Sequence, residues 1–116
     1  MIEKIVLDYL TTALDGVNVY MQEPESNPMP GSESFVVIEK TGSSYENRLF
    51  SATIAVQSFA PTLYEAAVLN EAVKAAMLDI ITLDEVTRVD LNSDYNFTDE
   101  TTKQPRYQAV FELVHY

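Results

Sequence analysis

The chain of 116 residues has no cysteine, which removes a disulfide framework and any thiolate metal site. Its one histidine, His115, is the penultimate residue. A catalytic base needs a pocket and an orienting partner, so His115 reads as a structural residue at a strand end. The three glycines, Gly16, Gly31 and Gly42, are too far apart to build a phosphate-cradling loop locally. Lysine and arginine number 7 against 18 acidic residues, giving a net charge of −11, and they never cluster. Duplex binders neutralise phosphates with such residues, so gripping or wrapping DNA is not expected. No apolar run reaches the ~18 residues of a membrane span. A charged amphipathic segment follows Met1 directly, which argues against a signal peptide. A soluble chain without a membrane partner is the expectation, and the missing cysteine suits a cytoplasmic origin.

What is present is a balanced globular composition, 47% apolar and 22% charged, at a length that fits one domain spanning 1–116. The organising stretch is Arg48 to Ile81. Phe50, Ala52, Ile54 and Val56 alternate with Ser51, Thr53, Ala55 and Gln57, the pattern of a half-buried strand. Ala60-Pro61 ends it, because proline lacks the N–H a ladder needs. Thr62 and Glu65 then stand at capping-box spacing. Leu63, Ala66, Ala67, Asn70, Val73, Met77 and Ile80 follow as one helical stripe.

Before this, residues 2–14 read as a helix with Ile2, Ile5, Val6, Tyr9, Ala13 and Leu14 on one face, stopped near Gly16. Val17 to Met21 reads as a short strand. Glu23 to Ser34 holds three prolines, a glycine and three glutamates and reads as an exposed loop. Phe35 to Thr41 is a strand, and Gly42 to Asn47 the turn that makes a hairpin with the Arg48 strand. Val86 to Phe97 alternates with Val89, Leu91, Ser93, Tyr95 and Phe97 on one side and Arg88, Asp90, Asn92, Asp94 and Asn96 on the other. After a polar turn, Pro105 to His115 sets Tyr107, Ala109, Phe111 and Leu113 against Arg106, Gln108 and Glu112. The order α-β-β-β-α-β-β implies an α+β fold, a mostly antiparallel sheet with helices packed on one face.

Oxygen-bearing residues at every second position from Asp90 to Glu100 resemble a calcium loop superficially. The sixth and twelfth positions, Tyr95 and Thr101, are wrong for that motif, and strand spacing spreads ligands along a face. The pairs Asp84-Glu85 and Asp99-Glu100 lie in polar connectors, without the shielded pocket that acid–base work requires. No catalytic residue, metal site or cofactor is expected. Aromatic residues near turns and termini, Tyr45, Tyr64 and Tyr116 among them, are candidates for contact anchors.

The element order, the opening IEKIVLDYL, the segment FVVIEKTGSSYENRLFSATIAVQSFAPTLYEAAVLNEAVKAAM and the closing VTRVDLNSDYNFTDETTKQPRYQAVFELVHY together resemble the small tail terminator or tail completion (head–tail joining) proteins of long-tailed bacteriophages. The resemblance covers the whole chain and contains no catalytic motif. It implies a phage or prophage virion protein of the tail or neck, assembled in the host cytoplasm. Such proteins form a ring, commonly hexameric, between the tail tube protein and the head connector or stopper proteins, with DNA passing through without specific binding. On this reading Pro28, Met29, Pro30, Tyr45, Glu46 and Phe97 are candidate tail, connector or subunit contacts, and Asp90 and Asp94 candidate acidic residues of the lumen or subunit edge. The alternative is a small cytoplasmic α+β module that binds a ligand or protein without enzymatic activity.

Overall fold

The computed structural model describes residues 1–22, 34–98, 100–101 and 104–116. The order is α1 (Ile2–Ala13), β1 (Asn18–Tyr20), β2 (Phe35–Glu46), β3 (Leu49–Phe59), α2 (Leu63–Leu78), a single 3-10 turn Ile80–Thr82, β4 (Val86–Asn96) and β5 (Arg106–His115). The five strands form one sheet in the order β1-β2-β3-β5-β4. Among the described residues only the β1–β2 pair is parallel. The expected α+β fold is what forms.

Both helices pack on one face of this sheet. Val6 and Leu10 of α1 and Val73 and Met77 of α2 meet Ile38, Ile54, Val56, Phe111 and Leu113, all of them buried, in one core. Each such side chain contributes roughly 1.5–3 kcal/mol by leaving water. Tyr9 ties the helices together, its hydroxyl donating to the Ala76 carbonyl at 2.7 Å. Burial holds the Tyr9 phenol above its usual value, with the Asp79 charge adding to the effect. Two positions depart from the expected stripes: Ala13 is exposed and Leu10 takes its place in the core, while Leu63 is half exposed at the start of α2.

Local chemistry explains the element ends. Thr62 caps α2 by accepting from the Glu65 backbone N–H at 3.1 Å. Past the end of α1, Gly16 takes φ +82, a conformation that costs glycine nothing. The stretch 42–46, expected to be a turn, instead continues β2 opposite 49–53, and the reversal is confined to Asn47 and Arg48. Their φ values of 52 and 65 are those of a tight two-residue hairpin turn, whose twist matches that of the flanking strands. Polar Ser43 and Ser44 tolerate pairing because this arm is exposed on both faces.

Three residues interrupt the ladders. Thr41 in β2 and residues 87 and 92 in β4 are each an extra residue at a register shift, as in a β-bulge. The shift at 92 reverses the inward–outward order of the remainder of β4. Val89 and Leu91 lie opposite Leu113 and Phe111 on the helix face, and so do Asp94 and Asn96, opposite Ala109 and Tyr107. The single alternation expected across Val86 to Phe97 is therefore corrected.

Arginine in the left-handed region at position 48 stores about 1 kcal/mol that glycine would not. Arg48→Gly should raise the midpoint of thermal unfolding by a degree or more, and Arg48→Val should lower it. Paired melts by circular dichroism check the sign of both.

Candidate functional site

The candidate contact residues that the structure describes lie at opposite ends of the sheet. Tyr45 and Glu46 sit at the end of the β2–β3 arm, both exposed. Phe97 follows β4 at the opposite end of the sheet, because β4 and β5 turn where β3 ends. Pro28, Met29 and Pro30 lie outside the described residues, as does nearly all of the Glu23–Ser34 loop.

At the arm end an aromatic row crosses three strands on the helix face. The Tyr45 and Phe50 rings are 4.6 Å apart, and Phe50 stacks on His115 at 5.5 Å and 16°. The bulge at Thr41 makes this possible, since without it Tyr45 would face the other way. Tyr45 is 59% exposed and Phe50 44%, so the row is accessible along its length. His115 is half-buried within it.

The other cluster lies on the helix-free face. Phe35 stacks on Phe59 at 4.5 Å, with Tyr20 edge-on to Phe35 at 6.0 Å. The Arg106 guanidinium lies over both Phe59 (5.2 Å) and Phe97 (4.7 Å), and its Nε donates to the Phe97 carbonyl at 2.9 Å. Tyr95 packs edge-on against Phe97. A polar chain runs beside it: Gln57 donates to Gln108 at 2.9 Å, and Gln108 to the Tyr95 hydroxyl at 2.6 Å. Arg106 holds Phe97 against the sheet, a role that the alternation pattern did not reveal.

The two acidic candidates part company. Both belong to β4, an edge strand, but the shift at 92 sends them to opposite faces, where unbroken alternation had put them together. Asp90 faces away from the helices, lies opposite Glu112, and is held by Arg88 Nε at 2.7 Å. Asp94 faces α2 and accepts from Asn70 Nδ2 and from Lys74 Nζ, each at 3.0 Å. Asn70 is 1% exposed, so this carboxylate serves a buried amide. Sequence spacing placed Asn70 in an apolar stripe and passed over Lys74; the only available hint was an amide at a core position. Lys74 also pairs with Glu71 at 3.0 Å, and the hydrogen bonds to Glu71 and then to Asp94 hold its ammonium above the usual lysine value against the cost of burial.

A further cleft of about 350 Å³ opens at the start of α1. Met1, Ile2, Ile5, Phe50 and His115 line it, with Glu3 and Lys40 paired at 3.4 Å. A hydrogen bond from its own backbone N–H, then Lys40, keeps Glu3 below the usual carboxylate range in spite of desolvation. Among the described residues no group of three or more His, Cys, Asp or Glu is arranged to hold a metal, and no helix is long and apolar enough to cross a membrane. Neither a protein-family model nor a curated protein matches the chain.

Two predictions follow from the split of the acidic pair. Asp94→Ala should destabilise by about 1–2 kcal/mol, because it strands a buried amide and an ammonium. Asp90→Ala, which loses one exposed pair, should stay within about 0.5 kcal/mol. Urea unfolding of both variants checks the difference. In the wild type, Lys74 and Tyr9 bind protons more tightly when folded, so the unfolded chain deprotonates first at alkaline pH. Stability from these groups is therefore complete at neutral pH and falls as pH rises past their ordinary values of 10.5 and 10.0. For Glu3 the sign is opposite: its contribution holds above 4.5 and is lost on acidification. Chemical denaturation across pH 3–11 reads both limbs.

Proposed function

We propose that the protein is a phage or prophage virion structural subunit that terminates the tail tube or joins the tail to the head connector, working as a ring without a catalytic step. The observation that carries this reading is the position of the two exposed aromatic clusters. Tyr45 with Phe50 and Tyr95 with Phe97 lie at opposite ends of the strands, separated by the length of β5. A subunit inserted between a tube and a connector needs a contact surface at each end of one axis, and these rings are suited to anchor such contacts. Glu46, at the tip of the arm, completes the first end. Net acidity suits a conduit that DNA must slide through. Of the two acidic candidates only Asp90 remains suited to a lumen wall, since Asp94 is committed to α2.

The cleft at the start of α1 favours a second reading, a ligand-binding module. Its apolar lining beside one ion pair would suit a small amphiphilic molecule.

Electron microscopy of particles made after deletion of the gene separates the possibilities. Filled heads beside abnormally long free tails are expected for termination, and normal-length tails that fail to attach are expected for joining. Intact, infectious particles would remove the virion reading and leave the binding module. Within the virion reading, Tyr45→Ser with Glu46→Ser should lower infectious titre while leaving the melting temperature within a few degrees. An unchanged titre would discount the arm as a contact.

A further inference from the structure

Arg48 stands against the preference of its own turn. In a two-residue hairpin loop with positive φ at both places, the second place favours glycine. Arg48 holds φ 65 there, a conformation that strains any residue with a Cβ. Asparagine, aspartate or glycine would serve the turn, and a chain of net charge −11 needs no cation at the tip to stay soluble. Backbone outliers of this kind cluster at sites of contact and recognition. Among the described residues every other lysine and arginine is occupied. Lys4 pairs with Asp8, Lys40 with Glu3, Lys74 with Glu71 and Asp94, and Arg88 with Asp90, while Arg106 lies over two rings. Arg48 alone among them has no ion pair, hydrogen bond or ring contact, and it is exposed.

The surface beside it is apolar and holds a cleft. Tyr45 and Phe50 present their rings on the helix face of the arm, and Phe50 continues into the cleft of about 350 Å³ with Met1, Ile2, Ile5 and His115. Tyrosine and arginine are over-represented where binding energy concentrates. Carboxylates are kept away from Arg48 on this side. Glu46, next to Tyr45 in the strand, faces the helix-free side. Asp84 and Glu85 precede β4, which lies across β5 from the turn. Two strand spacings, about 10 Å, exceed the ~8 Å Debye length of physiological salt. Glu3 lies in the cleft but is paired with Lys40. A guanidinium fork fits a carboxylate or a phosphate. Nucleic acid is held by many cations together, and here there is one, so a carboxylate is the match.

We infer that the arm end receives an apolar side chain in the cleft and, through Arg48, a neighbouring carboxylate, both carried by a different protein. The inference rests on the proposed function, in which this end of the subunit meets the tail tube or the head connector, and it names the chemistry of that contact: an apolar residue beside an acidic one. The arm lies at the end of the strands, the place that function gives to axial neighbours, whereas the next copy in a ring stands alongside. Lys40 is committed to Glu3, so discrimination of the carboxylate falls to Arg48. Tyr45 and Phe50 supply the apolar rim that keeps water from the pair.

Two small probes test the chemistry without the partner. N-acetyl-leucine and N-acetyl-leucinamide differ only in the carboxylate, and each would be titrated into isotope-labelled protein and followed by NMR. The wild type should bind the acid about threefold or more tightly than the amide, with shifts at Ile5, Phe50 and Arg48. Arg48→Gly should bind the two equally although it melts higher. Equal affinities in the wild type, a preference that survives in Arg48→Gly, or no binding of either probe would overturn the site. In a complemented deletion strain Arg48→Gly should lower infectious titre by about tenfold, and Arg48→Lys should recover part of it. An unchanged titre for Arg48→Gly, where the deletion itself abolishes infectivity, would overturn the contact and leave the proposed function standing. Infectious particles from the deletion would remove that function and this partner together. Self-association in sedimentation that Arg48→Gly abolishes would make a second copy the occupant and overturn the assignment.

Discussion

The pairing of β3 with β5 is the constraint on which the other elements depend. It runs from Phe50–His115 to Phe59–Arg106 without a register shift, whereas the ladders on either side of it are each broken. Ala52, Ile54 and Val56 on one strand and Ala109, Phe111 and Leu113 on the other give a continuous apolar strip. Met77 and the rest of the inward stripe of α2 bury on that strip, and α1 lies beside it on β1 and β2 and against α2. A straight central pair with bulged neighbours divides the labour: the centre fixes which face is inside, and the periphery is free to re-aim individual side chains.

That division also explains what could be read from the residues alone. Strands β3 and β5 were legible because an uninterrupted ladder keeps strict period two, and Ala60-Pro61 punctuates the end of β3. The helices were legible from their periodicity and from Thr62. The course of β4 beyond Leu91 was not, since the extra residue at 92 is an ordinary asparagine among other polar residues and nothing in its type announces a bulge. The same holds for Thr41, and with it for the side on which Tyr45 emerges. In the arm, local preference and strand pairing pull in different directions. Gly42, Ser43 and Ser44 are favoured in turns, but Asn47 tolerates the left-handed region and the strand pairing on either side of it outweighs local preference. Candidate sites inherit these limits: the places where aromatic rings meet depend on bulges, so their residues could be nominated from sequence but their grouping could not.

Charge is distributed with the same asymmetry. On the helix-free face Glu39, Glu46, Asp90 and Glu112 outnumber Arg88 and Arg106, and those arginines are tied down by Asp90 and by the Phe59 and Phe97 rings.

The sheet edges bear on how copies could meet. An open edge strand offers a row of unpaired N–H and C=O groups to any other strand. Along β4 that row is interrupted at 87 and 92, and Arg88 and Asp90 stand between the two interruptions. Bulges that twist an edge, together with charge on it, are the usual means of preventing strand addition. At the other edge, β1 covers only Phe35 to Val37 of β2, and beyond it the bulge at Thr41 breaks the exposed stretch. Edge-to-edge extension is therefore discouraged on both sides of the sheet, by bulges at each edge and by charge along β4.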